Sequence, residues 1–310
     1  MTVRFTIVGI GEPLFYFFPD RQVLGGAPLN CAVHAHQLAQ PLGGRGVVVS
    51  RVGQDSLGTQ LLGELRSRGM STDYVQTDPD RPTGTVYVDL SDPSSPSYDI
   101  VQPVSWDWIQ FDPDLETLAS QASAVCFGSL AQRVSESRSA ILRFLTAARQ
   151  AVRLFDVNLR QNYYSAQILR RSFEHSTAVK INEEEVGIVA DLLGLDITSD
   201  TPGESEAEKR CALLLKKFNQ KLVALTRGKR GTVLITPTGR VEGKPAHYEM
   251  EEGADAVGAG DACTAGILLG LVMRWQLQRT ADLANEIGAY VATRAGATPK
   301  LPEKILEMIR

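Results

Sequence analysis

The chain changes from strand to helix within the stretch Thr177-Ala178-Val179-Lys180-Ile181-Asn182-Glu183-Glu184-Glu185. A short apolar run ends abruptly at Asn182, and the acidic residues after it suit the first turn of a helix. Continuous apolar runs of this kind are typical of strands that are buried on both faces of a parallel sheet. The same pattern recurs along the chain, at residues 5–9, 46–50, 124–128, 152–156 and 222–226.

Helical patterns separate most of these runs. Leucines recur at one-turn spacing between residues 57 and 65, Gly69 supplies a stop, and residues 141–145 show similar spacing. Alternating strands and helices predict an α/β fold with a doubly wound, mostly parallel sheet that is flanked by helices. A length of 310 residues corresponds to one large domain or two.

Residues 82–101 follow a different pattern. Residues 83–90 alternate with period two, residues 91–96 are rich in turn formers, and residues 97–101 resume an extended pattern. This predicts an antiparallel hairpin outside the main sheet, to which residues 15–18 could add a third strand. We expect lid segments at about 13–20 and 82–104 on a single α/β domain spanning 1–310; the alternative is a surface hairpin without a function.

Composition narrows the function classes. The 32 Lys and Arg residues against 36 Asp and Glu residues give a net charge of −4. This argues against a basic nucleic-acid binder and leaves no polybasic segment for a membrane surface. The four cysteines form no CxxC pair and are typical of reduced, mostly buried thiols. Without a recognisable targeting or membrane-spanning segment, we expect a cytoplasmic protein.

The strongest local feature is the glycine-rich turn at residues 255–261, which leads straight into an apolar helical run. N–H groups at a helix start lack partners, and the helix dipole adds positive potential there. Gly258 and Gly260 have no Cβ, so an anion can approach the backbone closely. The pattern therefore suits a phosphate or a developing phosphoryl charge. The alternative is a capped helix with a glycine turn, in which Asp261 only complements the dipole.

The sequence does not match three common ligand-binding motifs. The sequence has no GxxxxGK[ST] phosphate loop. Gly9 and Gly11 begin a dinucleotide fingerprint, but Leu14 stands where the third glycine is needed, which weakens an NAD-dependent oxidoreductase. The four histidines do not have the spacing of a zinc site.

Taken together, the motifs resemble those of the ribokinase-like (PfkB-type) carbohydrate kinases, and most closely the bacterial fructokinases. They appear in order at residues 25–30, 51–58, 83–85, 156–160, 182–185, 226–231 and 255–261. The resemblance implies an α/β body with a small β-sheet lid, and ATP-dependent phosphorylation of a sugar hydroxyl. In this interpretation Asp261 is the general base, and the N–H groups of Gly258, Ala259 and Gly260 form an anion hole for the γ-phosphoryl group.

The resemblance also assigns the remaining residues. Gly26, Asn30 and Asn158 would contact the sugar, and Arg160 would face both sugar and phosphates. Asn182 and Glu185 match an NxxE motif that organises Mg²⁺ through water, although a helix N-cap explains the same residues. Thr226, Gly228 and Gly231 would line the phosphates and ribose of the nucleotide. Asp255 would lie where many relatives hold a potassium ion. A homodimer is left open.

One departure concerns the acceptor. Relatives usually have Gly-Glu, three further residues and then an Asp that binds sugar hydroxyls, whereas Tyr16 stands at that position here. Val157 and Val257 are milder departures. A carboxylate accepts two hydroxyl bonds, but a phenol offers one bond and a large apolar face. A kinase for a nucleoside or another small molecule, and a non-catalytic sugar- or nucleotide-binding relative, therefore remain as alternatives.

Overall fold

The computed structural model describes residues 4–89, 97–198 and 200–310. The turn-rich loop predicted at residues 91–96 lies outside the described residues. The strands are β1 (Thr6–Ile10), β2 (Leu14–Phe17), β3 (Gln22–Gly25), β4 (Arg45–Gly53), β5 (Val75–Asp78), β6 (Gly84–Asp89), β7 (Ser97–Ile100), β8 (Ala124–Gly128), β9 (Val152–Asp156), β10 (Ala178–Asn182), β11 (Leu222–Thr226), β12 (Thr232–Thr236) and β13 (Gly239–Glu242).

The helices cover both faces of the main sheet; most lie between strands along the chain, and the last three follow the final strand. They are α1 (Ala27–Ala39), α2 (Ser56–Ser67), α3 (Pro113–Gln121), α4 (Ser135–Ala147), α5 (Ala166–His175), α6 (Glu183–Leu193), α7 (Glu206–Lys217), α8 (Ala259–Val272), α9 (Leu277–Val291) and α10 (Glu303–Glu307). Ile7 and Val8 belong to two different apolar clusters, as successive residues of a strand buried on both faces must.

The main sheet has nine strands in the order β13-β12-β11-β10-β9-β8-β1-β4-β5. Strands β11 to β5 in this order pair in parallel, which confirms the predicted α/β fold, and every predicted run is a strand. Strands β12 and β13 form an antiparallel hairpin at the edge that the sequence analysis did not identify. Its signal is the turn Thr236-Pro237-Thr238-Gly239 between two short alternating segments.

A second, small sheet has the order β3-β2-β6-β7. The predicted hairpin is confirmed, because β6 and β7 pair antiparallel outside the main sheet. Strand β2 is the predicted third strand, and it runs parallel to β6. The fourth strand, β3, was missed because only two of its four residues are apolar, whereas all four residues of β2 are apolar or aromatic. Whether the small sheet acts as a lid stays a prediction.

A helix that spans a membrane has to be both long and strongly apolar. Across the described ranges, none of the helices is both long enough and apolar enough to cross a bilayer.

Candidate active site

The polar ends of the central strands lie side by side at one edge of the main sheet. Asn182, the last residue of β10, is in register with Thr226 at the end of β11. Lys180 of β10 is in register with Asp156, the last residue of β9. Because carboxyl ends of parallel strands meet at one edge, motifs that are far apart in sequence become neighbours there.

The glycine turn forms the start of α8. Gly258 is the N-cap, with φ at 82°, and a Cβ there would lie 2.2 Å from the carbonyl oxygen of Ala297. Only glycine meets both conditions. The Ala262 N–H makes the first helical bond, to the Gly258 carbonyl at 2.8 Å. The N–H groups of the preceding residues in the first turn have no acceptor within the helix, and the predicted anion hole would use them. The Ala259 N–H makes a long contact of 3.3 Å with the Ala256 carbonyl oxygen.

Asp261 lies in that first turn and faces the start of α1. The amide nitrogen of Asn30 donates to its Oδ2 at 2.8 Å. Gly26 is the N-cap of α1, with φ at 113°, and a Cβ there would lie 2.1 Å from the Glu12 carbonyl oxygen. The structure therefore brings Gly26, Asn30 and Asp261 together where the starts of α1 and α8 meet.

The surroundings of Asp261 favour its neutral form. Burial raises the pKa of this carboxyl to about 6, and the nearby charge of Asp156 acts in the same direction. The charges of Lys180 and Arg160 and the hydrogen bond from Asn30 oppose this change. A carboxyl with a pKa near 6 is ionised at neutral pH, yet it accepts a proton more readily than an ordinary aspartate.

Tyr16 lies near Asn30. A Cβ on Gly25 would lie 2.8 Å from the Tyr16 ring and 3.8 Å from the Asn30 amide nitrogen, so the ring packs against the end of β3 beside Asn30. Burial raises the pKa of Tyr16 to about 12, and the charges of Arg160 and Asp261 also act on it. The residue that departs from the family pattern thus lies close to the predicted base.

Glu12, two residues after the end of β1, was not predicted as a site residue. It is buried, and its Oε2 has no hydrogen-bond partner among the described residues. Burial raises its pKa to about 7, and the charge of Asp261 adds to this effect. A glutamate at the end of a buried strand was the available signal, because a charged residue seldom follows an apolar run without a reason.

The NxxE residues form a capping box. The Glu185 N–H donates to Asn182 Oδ1 at 2.8 Å, and the Asn182 N–H donates to Glu185 Oε2 at 3.1 Å. Glu185 Oε1 accepts the Leu159 N–H at 2.9 Å, which connects α6 to the loop after β9. In that loop Asn158 has φ at 38°, and Arg160 is exposed. Burial raises the pKa of Glu185, and Lys180 opposes this effect.

The nucleotide-side residues follow β11. Gly228, with φ at 57°, begins a short 3-10 turn (Gly228–Arg230) after Thr226. Gly231 has φ at 78°, and a Cβ there would lie 2.7 Å from the Asn285 amide nitrogen. These glycines therefore shape the backbone next to Asn182.

Asp255 lies on a separate bridge beside the glycine turn. Its backbone pairs with Arg294, which brings it next to the segment at 295–296. Its Oδ1 accepts the Val257 N–H at 3.1 Å. Its Oδ2 lies 3.6 Å from Arg21, a residue between β2 and β3. The small sheet thus contacts the glycine turn directly.

Lys180 is the most informative residue that the sequence analysis missed. Its Nζ donates to both carboxylate oxygens of Asp156 at 2.9 Å, and both side chains are buried. Burial alone would lower the pKa of this amine, but Asp156 and the other nearby acidic groups raise it. A Cβ on Gly260 would lie 3.3 Å from the same Nζ. The signal was a lysine inside an apolar strand.

Fold and site together define a ribokinase-like α/β kinase with a separate small sheet beside its site. The model of the pfkB family carbohydrate kinases matches residues 18–304. The chain belongs to this family, and it is an ATP-dependent sugar kinase.

Individual relatives agree with this assignment. The chain is 28% identical to a fructokinase of Escherichia coli over 294 residues, 90% of this chain and 88% of the relative. It superposes on a fructokinase of Xylella fastidiosa with bound ATP at a TM-score of 0.82, with 22% identity and 98% of each chain covered. A double mutant of the Vibrio cholerae fructokinase, in a form with fructose, ADP and potassium bound, gives a TM-score of 0.79 at 24% identity, with 99% of this chain and 98% of the other covered.

Proposed function

We propose that this kinase transfers the γ-phosphoryl group of ATP to a sugar hydroxyl in the manner of a fructokinase, with Asp261 as the general base. The observation that carries the proposal is the position of Asp261. It is buried in the first turn of α8, directly after the glycine turn, and it is hydrogen-bonded to Asn30 at the start of α1. One carboxylate therefore faces both the helix start and the predicted sugar side.

In this mechanism the acceptor hydroxyl gives its proton to Asp261 while its oxygen forms a bond to the γ-phosphorus. The bond from that phosphorus to the ADP oxygen breaks, and ADP leaves with its electron pair. The N–H groups of Gly258, Ala259 and Gly260 stabilise the charge on the transferred group. Arg160 adds positive charge on the acceptor side, since its charge acts on both Tyr16 and Asp261.

The described residues also fit a nucleotide with Mg²⁺. The glycine turn leaves room for phosphate oxygens at the helix start, because a Cβ on Gly260 would meet only Lys180 within 4 Å. Asn182 and Glu185 would hold the ion through water, and the ion would neutralise phosphate charge. Thr226, Gly228 and Gly231 would line the phosphates and ribose. The bridge between Asp255 and Arg294 supports a potassium ion near these backbone groups.

A second acceptor class is supported by Tyr16. An aromatic ring beside Asn30 and near Asp261 suits an acceptor with a flat or apolar group where fructose presents hydroxyls. Such a substrate would make this chain a nucleoside kinase or another small-molecule kinase of the same fold. The small sheet as a lid, a cytoplasmic location and a homodimer remain parts of the proposal that need their own tests.

The decisive experiment is a panel of sugars and nucleosides with ATP and Mg²⁺, in which ADP release is measured by a coupled assay. A fructokinase turns over ATP with fructose and ignores nucleosides. The second candidate shows the reverse preference. A non-catalytic binding relative releases no ADP with any acceptor, and that result would contradict the proposal.

A further inference from the structure

Three buried side chains lie directly behind the first turn of α8. Lys180 and Asp156 form the ion pair described above, and Thr264 Oγ1 lies 2.8 Å from Asp156 Oδ2. Thr264 is fully buried, and its hydroxyl is also 3.0 Å from the carbonyl oxygen of Gly260. The hydroxyl has one proton, so it donates to one of these acceptors at a time or to both in a bifurcated bond, and it lies between the carboxylate and the backbone of the glycine turn.

Asp156 begins the motif at residues 156–160, but the resemblance assigns no role to it, to Lys180 or to Thr264. Asp261 is hydrogen-bonded to Asn30 on the predicted acceptor side, whereas Lys180 lies next to Gly260, the preceding residue of the same turn. The first turn of α8 is therefore contacted by polar groups from both α1 and β10. Burying an ion pair is costly, and the bonds from Lys180 and Thr264 together offset that cost only in one geometry.

We infer that Asp156, Lys180 and Thr264 form a positioning unit, which holds Gly260 and Asp261 in register with the transferred phosphoryl group. The inference rests on the proposed function. In this inference the three side chains act through the backbone of α8, in addition to the direct effect of the Asp156 and Lys180 charges on the pKa of Asp261. A helix start that shifts by about 1 Å misaligns both the base and the N–H donors, and such shifts cost up to about 100-fold in rate.

The test is Thr264→Val, which preserves side-chain volume and removes the hydroxyl. We expect kcat to fall about 10- to 100-fold, with KM for ATP and for the acceptor changed less than about threefold, because binding contacts remain. Thr264→Ser restores the hydroxyl and should restore most of kcat. A loss in Thr264→Val that Thr264→Ser does not repair would point to packing and would overturn the inference.

Thr280→Val is the matched control. Thr280 is also fully buried, and its hydroxyl lies 3.2 Å from the Gln276 carbonyl, four residues back, as that of Thr264 does from Gly260. This control removes the same kind of helical bond without touching Asp156. If wild type, Thr280→Val and Thr264→Val all have the same kcat, the inference is wrong. If wild type releases no ADP with any acceptor, the proposed function fails and takes the inference with it.

A double-mutant cycle tests the whole unit. Lys180→Met leaves Asp156 without its charge partner and should lower kcat more than Thr264→Val does. If the three residues act as one unit, the two substitutions together reduce kcat little more than Lys180→Met alone. Multiplicative losses would show independent roles and overturn the inference. Should Lys180→Met fail to fold, the Thr264 series with its Thr280 control still decides the question.

Discussion

The two sides of the site are built in different ways. On the phosphate side, glycines with positive φ, helix starts and the buried Lys180–Asp156 pair fix the backbone itself. On the acceptor side, the groups that face Asp261 are side chains, and Tyr16 comes from the small sheet. A backbone cradle tolerates few changes, whereas a side chain on a separate sheet is easily exchanged. The type of reaction and the choice of acceptor can therefore vary independently.

The largest effect is expected for Asp261→Asn on the phosphate side. Loss of a general base typically lowers kcat by about 10²–10⁴-fold, while the backbone groups that bind nucleotide remain. Steady-state kinetics and ADP binding by calorimetry measure the two effects separately. A variant with near wild-type kcat would exclude Asp261 from the mechanism.

The acid limb of the wild-type pH profile provides a control for this variant. Because the pKa of Asp261 is raised to about 6, kcat/KM should fall about tenfold per unit below that pH as the base becomes protonated. Any residual activity of Asp261→Asn should lack this limb.

The phosphate side should also lose stability in acid through His34. Its Nε2–H donates to the Ala297 carbonyl at 3.0 Å, the same oxygen that excludes a Cβ from Gly258. Burial lowers the pKa of His34 from 6.5 to about 4. As the pH falls from 6.5 towards about 4, His34 is protonated in the unfolded chain but stays neutral in the folded one. The free energy of unfolding therefore falls by about 3 kcal/mol over this range.

Urea unfolding at about pH 7 and about pH 4 measures this loss, and His34→Gln should reduce it by most of that amount. His247 is exposed, so His247→Gln is the matched control and should behave like wild type. Equal acid sensitivity in all three proteins would contradict the role of His34.

On the acceptor side, Tyr16→Asp should change the substrate. Hydrogen bonds to a charged acceptor contribute about 1.5–3 kcal/mol each, or roughly 10- to 100-fold in affinity. We expect kcat/KM to rise by about this factor for fructose and to fall for the native acceptor, with KM for ATP unchanged. Competition assays with several acceptors measure both changes.

Tyr87→Asp controls for damage to the small sheet, since Tyr87 is on neighbouring β6 and is 54% exposed. If wild type already uses fructose efficiently and Tyr16→Asp alters no substrate preference, the aromatic residue has no part in acceptor choice. The comparison between the two sides would then lose its main example.

The smallest effect is expected for Glu185→Gln. A neutral amide cannot accept both the Leu159 and the Asn182 N–H groups, so the turn that would carry Mg²⁺ loosens. We expect the Mg²⁺ concentration for half-maximal rate to rise roughly tenfold, as for other residues that support a metal indirectly. Glu184 is exposed in the same helical turn, so Glu184→Gln is the control. An unchanged Mg²⁺ dependence would reduce the acidic run to a helix cap.

The sequence predicted the parts of the fold that depend on local pattern. Buried strands, the hairpin at β6 and β7 and the glycine turn before α8 all have periodicity or turn residues that can be read directly. The contact between Asn30 and Asp261 was accessible only through the family motifs, because no local rule joins two helix starts so far apart. Strands β3, β5 and β13 were missed because each has four residues of which at most two are apolar, and no predicted hairpin marked them.

The buried polar groups were the hardest to predict. Lys180 is the one charged residue inside β10 and Glu12 follows the end of β1, and the charged groups that act on them come from other parts of the chain. Their environment results from the packing of the whole sheet, so the sequence could mark them as unusual but could not say what they face. Thr264 carried no signal at all, because a threonine in an apolar helix is common.

The hydrogen bond from Asn30 to Asp261 spans 231 positions of the chain. A ribosome therefore releases α1 long before its partner helix exists. During that interval, the apolar face of α1 that will pack against α8 has to remain uncovered or be held by other contacts. Asp261 joins the site only after most of the chain has been synthesised, so a product truncated before α8 could form much of the sheet but would lack the carboxylate that we propose as the general base.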